Sequence, residues 1–423
     1  MSEQRDSGRE SKSRFGEIFV GGRVLLIAFL GTGVSVSTTY LLSLSIFVKP
    51  MADEFGWGRG VISTASLVVN IVLAVLIPQV GRLVDRIGSM PVVIVSTIAY
   101  AGALASLGAF TVDLWSYFGL VVLLALLGAG STPPPLTKLL VANFHLSRGV
   151  ALGIALSGVG LGTAIISVLL APYVAQHGWR NGYLMLGAGV FLGAVVMAAL
   201  WMTGGNVRHA FARPRPASPA TAGLKAETPL VKDRTFWLIA AIFYFAAFGI
   251  LTLVAHFVPM LTDAGMSLAE AGVLAGNIGL AMVAGRIVTG FLLDVVRAEH
   301  LGAVLFLFCA AGMLLLAFGG REFALLAAIV AGFGVGAEID LMAFLVGKHF
   351  GLQRYGAVYG GIYGIFLVGT SSGSVVAGFL FDITGTYMES LLVASASLTL
   401  AALLLVLLSR MDRIDLATKS LQR

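Results

Sequence analysis

The chain has 423 residues, of which 58% are hydrophobic and 11% charged, and its net charge is +6. Soluble chains carry roughly a quarter charged residues, so a water-soluble globular domain is excluded. Basic residues are scattered through the polar interruptions, which gives no nucleic-acid footprint, and the single cysteine, Cys309, rules out an intramolecular disulfide.

The first 23 residues are polar and charged, with no small-x-small cleavage site before the first apolar run, so no cleaved signal is expected. Twelve apolar runs follow, at 24–48, 61–80, 91–110, 114–142, 149–175, 183–202, 236–261, 268–295, 301–318, 323–346, 356–381 and 390–408. Pro133-Pro134-Pro135 falls inside the fourth run and must break or bend it, because successive prolines remove backbone donors. Residues 203–234 are the longest polar interruption, rich in Pro, Ala and Ser, with six basic residues; they read as a cytosolic linker. The expectation is an all-α membrane protein of twelve transmembrane helices. Two six-helix bundles, 24–202 and 235–409, are flanked by cytosolic tails 1–23 and 410–423.

Charge orients the chain. With both termini cytosolic, 21 of the 27 Lys and Arg lie on the cytosolic side. Four (Lys49, Arg59, Arg180 and Arg321) lie opposite, and Lys138 and Arg286 lie within runs. The two halves also repeat. Gly81-Arg-Leu-Val-Asp85 after the second run matches Gly290-Phe-Leu-Leu-Asp294 after the eighth. Gly149, Gly153, Gly162 and Gly178 match Gly356, Gly360, Gly369 and Gly385 at an offset of 207. Six crossings per unit leave both halves in the same orientation, so they are parallel repeats with a binding site expected between them at mid-membrane.

The stretch Gly81-Arg-Leu-Val-Asp-Arg-Ile-Gly88 resembles the loop between helices two and three of the major facilitator superfamily, and its weaker copy at Gly290–Arg297 stands where that family has one. The resemblance implies the twelve-helix fold of that family. It also implies a cytosolic gate made by Gly81, Arg82, Asp85, Arg86, Gly290, Asp294 and Arg297. Asp85 would accept from helix N-terminal amides, while Arg82 and Arg86 hold the gate shut by ion pairing.

Phe55-Gly-Trp-Gly-Arg-Gly-Val-Ile-Ser63, Gly178-Trp-Arg180, Gly336-Ala-Glu-Ile-Asp-Leu-Met-Ala343 and an Arg in the eighth run resemble the monocarboxylate and oxalate/formate transporter branch. That resemblance implies that Arg286 binds a substrate carboxylate. The animal members carry a Lys in helix one and the oxalate exchanger one in helix eleven. Residues 40–46 and 356–381 contain none here, which favours a monoanion held by one cation.

The remaining candidates come from polar groups in apolar runs. Arg286 lies ~12 Å of helix from the Asp294 turn, near the middle of a ~30 Å hydrocarbon core. An ion at that depth costs at least ~2.5 kcal/mol, so it faces a partner or a polar cavity. Two roles stay open: a carboxylate-binding cation, or a structural partner for an acid in a neighbouring helix. Glu338 and Asp340 reach the same depth. At ~200° apart on one helix they cannot both face one cavity, so one is available to pair with Arg286. Either acid, or His256, is a candidate for proton coupling or for charge pairing. For His256 the plainer reading is a hydrogen-bonded structural histidine. Lys138 reads as snorkelling to the nearby helix end. Tyr40, on a polar stripe with Ser37 and Gly33, and Tyr359 and Tyr363, four residues apart, are candidates to line the site; interhelical hydrogen bonding is the competing role. The pairs Gly149/Gly153, Gly158/Gly162, Gly356/Gly360 and Gly369/Gly373 read as close helix packing.

No Walker loop and no metal-spaced His/Cys cluster occurs, so neither ATP, an enzyme activity nor any cofactor is expected. The expected function is secondary transport of a small organic anion across the cell membrane, plasma or bacterial inner. A monocarboxylate would move with a proton or against a counter-anion, and the transporter would work as a monomer in the bilayer. A neutral or cationic cargo with Arg286 structural, and a non-transporting solute sensor, are the alternatives.

Overall fold

The computed structural model describes residues 14–144, 147–203 and 232–421. The expectations for most of the N-terminal tail (1–13) and of the linker (204–231) lie outside them. Among the described residues, ten helical stretches are long and apolar enough to cross a membrane. Two of these, Gly149–Met202 and Ala298–Gly351, have 54 residues each, roughly 80 Å of helix and far more than one crossing needs. Each is broken by a glycine with positive φ: Gly178 (φ 82, ψ 162) and Gly320 (φ 70). Only a residue without Cβ takes such backbone at no steric cost. Divided there, the ten stretches make twelve crossings, and the chain has the all-α architecture expected.

The first four crossings are α1 (Gly22–Phe55), α2 (Arg59–Ile87), α3 (Ser89–Phe110) and α4 (Leu114–Asn143). Then come α5 (148–177), α6 (179–202), α7 (Arg234–Asp263), α8 (Leu268–Leu292) and α9 (Ala298–Gly319). The helix Ala324–Thr384 turns at Gly351 (φ 67, ψ 176) and so comprises α10 (324–350) and α11 (352–384). The last, α12, is Met388–Leu421, so residues after 409, expected as a tail, continue as helix.

Two crossings are interrupted. In α1 the chain passes through a π-helical turn, Ser37–Leu41. In α4 the helix Leu114–Gly128 gives way to a 3₁₀ turn and an extended Thr132 (φ −76, ψ 161) before restarting at Pro133. Proline suits the first position of the new helix, because its missing N–H is an orphan there anyway. Ser96 of α3 serves the broken ladder, donating to the Leu127 carbonyl and accepting from Gly130 N at 3.0 Å.

Internal repetition is visible in the packing. A methyl group added at Gly162 of α5 would lie 2.6 Å from the Gly33 carbonyl oxygen of α1, and one at Gly369 of α11 would lie 2.5 Å from that of Tyr244 in α7. The same position, 207 residues on, therefore admits the equivalent helix. Between halves, α5 crosses α8 where Gly160 meets the Gly279 carbonyl, and α2 crosses α11 where Gly378 meets the Gly60 backbone.

Close packing holds for Gly158/Gly162 and Gly369/Gly373 but not for Gly149/Gly153 and Gly356/Gly360, where an added Cβ meets nothing within 4 Å. The latter pairs lie in the first turns of α5 and α11, towards the face of the bundle that carries Asp85. On that face these helix surfaces are uncovered. A crevice of about 490 Å³ opens among α1, α5 and α6. Its lining, including Phe29, Leu161, Ile165 and Leu169, carries no charged group, and it lies apart from every ionisable cluster described below.

Candidate functional site

Three glycines bring α8 and α10 together. Added side chains at Gly332 and Gly336 of α10 would run into the Ile278 and Met282 carbonyls of α8, and one at Gly285 into that of Phe333. At Gly336 the added atom would also lie 3.0 Å from Arg286 N, so this crossing fixes the backbone that carries Arg286. One turn along, Arg286 Nη1 donates to Asp340 Oδ1 at 3.2 Å. The two side chains are 10% and 29% exposed, so the pair is reached by solvent mainly through Asp340. Glu338 makes no hydrogen bond to the guanidinium; it is 1% exposed, and its Oε2 has no hydrogen-bond partner. The two-residue spacing thus separates the acids as helical geometry requires, one onto the guanidinium and one into the interior.

From the other side α11 presents Tyr355, Tyr359 and Tyr363. Their rings stack with centroids 5.5 and 5.9 Å apart and planes 12° apart at each step, and Phe366 continues the stack at 5.5 Å. Arg286 is within electrostatic reach of Glu338, Asp340, Tyr359 and Tyr363. These five of the residues singled out from sequence therefore converge.

The other two do not join them. Tyr40 is 1% exposed in the core of the first half, electrostatically coupled to Tyr117, Tyr183 and Tyr100, with its hydroxyl towards that of Tyr117. The π-helical turn rotates it inward, which the 3.6-residue stripe with Gly33 and Ser37 does not foresee. His256, fully buried, lies in a different cluster, at the opposite end of the bundle from Asp85. Its Nε2 is 2.9 Å from the Ser374 carbonyl oxygen, and its Nδ1 is 3.1 Å from the Tyr387 hydroxyl. A carbonyl can only accept, so Nε2 carries the proton and Nδ1 accepts from Tyr387.

That second cluster centres on Arg59, which the sequence marks as a loop charge within the Phe55–Ser63 stretch but gives no site role. Its guanidinium donates to Asp263 at 2.5 and 3.1 Å and to the Tyr387 hydroxyl at 2.8 Å, and lies 3.8 Å from the Phe381 ring centroid. Lys49 donates to the same Asp263 at 2.5 Å. Asp382 of α11 accepts from the amides of Arg59 and Gly60 at 2.8 and 2.9 Å. A carboxylate from one half thus caps the first turn of a helix in the other, where orphan amides and the helix dipole favour negative charge. Further in, Asn70 donates to Ser371 Oγ at 2.6 Å. These bonds tie α1 and α2 to α7, α11 and the turn after α11, so the halves are locked at the Arg59 end.

At the Asp85 end the picture differs. Arg82, Asp85, Arg86, Gly290, Asp294 and Arg297 are all exposed, and Gly81 is half-buried. Asp85 pairs with Lys138 of its own half rather than with helix amides, so Lys138 has a partner where snorkelling alone was expected. The second half has the equivalent pair with a different acid. Lys348, 210 residues after Lys138, binds Glu299, which is 0% exposed and also has Arg297 Nε at 3.8 Å. Asp294 stands outside this arrangement. The printed ion pairs at the Asp85 end each stay within one half, whereas those at the Arg59 end cross from one half to the other.

Residues 25–360 match the family model of the Major Facilitator Superfamily. The chain is 26% identical over 341 residues to monocarboxylate transporter 12 of Mus musculus, covering 73% of this chain and 70% of that protein. It is 25% identical over 410 residues to monocarboxylate transporter 4 of Rattus norvegicus, covering 92% and 82%. Among solved structures it resembles a bacterial homolog of the human lysosomal transporter Spinster. The inward-facing, unoccupied form matches with a TM-score of 0.69 at 16% identity, covering 93% of this chain and 97% of that one. The occupied form gives 0.66 at 17%, covering 93% and 96%. At such identities the structural likeness bears on the fold alone.

Proposed function

The chain belongs to the Major Facilitator Superfamily, and from that premise we propose that it is a secondary transporter of small monocarboxylates with Arg286 as the anion-binding cation. One observation carries the reading. Arg286 uses a single nitrogen, Nη1, on Asp340 at a long 3.2 Å. The rest of its planar fork remains for a carboxylate, which guanidinium binds in bidentate fashion. The relatives' names, monocarboxylate transporters 12 and 4, agree with that chemistry.

The Asp85 end is assigned to the cytosol from the 21-to-4 distribution of basic residues, which makes this a state open to the cytosol and closed outside. Substrate and Asp340 compete for Arg286. An arriving anion displaces Asp340, which then either takes a proton, giving symport, or returns to Arg286 when the anion leaves, giving exchange. Tyr359 and Tyr363 line the site, and the halves rock about the α5–α8 and α2–α11 crossings.

The test is uptake into proteoliposomes with labelled monocarboxylates, sugars and amines, in the wild type, Arg286→Lys, Arg286→Gln and the double variant Arg286→Gln/Asp340→Asn. A hydrogen bond to a charged group contributes ~1.5–3 kcal/mol, so Arg286→Gln should weaken carboxylate binding roughly ten- to hundredfold. Lys, which keeps the charge and loses the fork, should fall between. The double variant should recover expression without binding. Wild-type binding by that charge-neutral pair would make Arg286 structural and point to an uncharged cargo.

A further inference from the structure

We propose that the solute is an aryl-bearing monocarboxylate, its carboxylate on Arg286 and its ring against the tyrosine wall of α11. The proposal rests on the assignment of Arg286 as the carboxylate site. Residues 355–364 read Tyr-Gly-Ala-Val-Tyr-Gly-Gly-Ile-Tyr-Gly, so Tyr-Gly occurs three times at intervals of four. Four residues advance a helix by ~6 Å and keep nearly the same face, which matches the observed ring spacings of 5.5 and 5.9 Å.

The glycines make the second half of the argument. An added Cβ at Gly356, Gly360 or Gly364 would meet nothing within 4 Å. Each tyrosine is thus flanked by bare backbone beside open space, and the stacked rings present a row of aromatic edges along that margin. Glycine weakens a helix relative to alanine, and here no close helix contact explains three of them. The strip is partly accessible: the three tyrosines pack against the core and are half-buried, whereas Phe366, next in the stack, is 4% exposed.

Arg286 is electrostatically coupled to Tyr359 and Tyr363, the two inner rings, so a carboxylate on the guanidinium puts the body of the solute beside them. Aromatic rings favour offset or edge-on contact with another ring beyond what burial alone provides. Saturated rings of the same size lack that term. No lysine lies in 356–381 to hold a second carboxylate, which keeps the solute a monoanion.

The experiment compares phenylacetate with cyclohexylacetate, which share charge and near-equal size, by equilibrium binding to the full chain in proteoliposomes. Phenylacetate should bind about three- to tenfold more tightly to the wild type. Tyr359→Leu and Tyr363→Leu should each pull that ratio towards one. Equal affinities in the wild type, with binding still abolished by Arg286→Gln, would overturn the aromatic proposal alone. Binding of neither acid, or binding that survives Arg286→Gln, would overturn the Arg286 assignment and this proposal with it. The wild-type comparison decides the matter even if a tyrosine variant fails to fold.

Discussion

Replacing Arg59 by Gln should release the lock between the halves. Arg59 is 9% exposed at its side chain and makes two contacts to Asp263, one to Tyr387 and a cation–π contact to Phe381. Removing a buried ion from such a pair costs ~3–5 kcal/mol when its partner is left bare. Asp263 is not left bare, because Lys49 stays on it, and it is 26% exposed, so solvent screening lowers the figure. The hydrogen bonds and the ring contact then leave about 3 kcal/mol in favour of the closed end, or roughly a hundredfold in the closed-to-open ratio. Spin labels at Asp53→Cys and Ala264→Cys, on a Cys309→Ala background, read the separation of α1 and α7 at that end by pulsed electron resonance. The wild type should give one short distance. Arg59→Gln should add a longer population, and Arg59→Lys, which keeps charge but not the fork, a smaller one. Identical distance distributions in all three proteins would refute the assignment of Arg59 as the tie between halves.

Two further outcomes test the packing and the Asp85 end. Gly336→Val drives a side chain into the Met282 carbonyl and the Arg286 backbone, and should lower stability by ~1–3 kcal/mol, seen as reduced thermal stability of the detergent-purified protein. Gly356→Ala, where nothing lies within 4 Å, is the control and should not destabilise. Asp85→Asn breaks a pair whose side chains are 66% and 48% exposed and should change stability by less than ~1 kcal/mol. Turnover should nevertheless slow with the dissociation constant unchanged, and a changed constant with normal turnover would contradict a gating role.

Much of this arrangement was legible before any coordinates, for identifiable reasons. Charges inside apolar runs are costly enough to demand partners, so Arg286 stands out together with Glu338 and Asp340, one of which has to serve it; that it is Asp340 needs the structure. The triple proline marks the α4 break because the backbone chemistry leaves little choice. The tie at Arg59 was opaque: Arg59 and Asp263 are 204 residues apart, each sits beside a helix end, and each looks like an ordinary solvated loop charge. Tyr40 misled because a stripe at helical spacing presumes an unbroken helix, and the π-helical turn at Ser37–Leu41 changes the face. Glycine pairs misled in the opposite direction. Gly158/Gly162 and Gly356/Gly360 share one spacing, and only the location of the neighbouring helix separates a packing glycine from one on an open face.

The two acid–base pairs near the Asp85 end are repeated but not equally sheltered. Lys138 and Asp85 are 48% and 66% exposed, whereas Glu299 is wholly enclosed. Mobile ions screen over ~8 Å at physiological strength, and they reach both members of the first pair but only the cations of the second, Lys348 and Arg297. Rising salt therefore slackens one half more than the other. A fold built from two like units thereby acquires a built-in polarity: electrolyte acts on one unit as a dial, while the other serves as the steadier frame against which it turns.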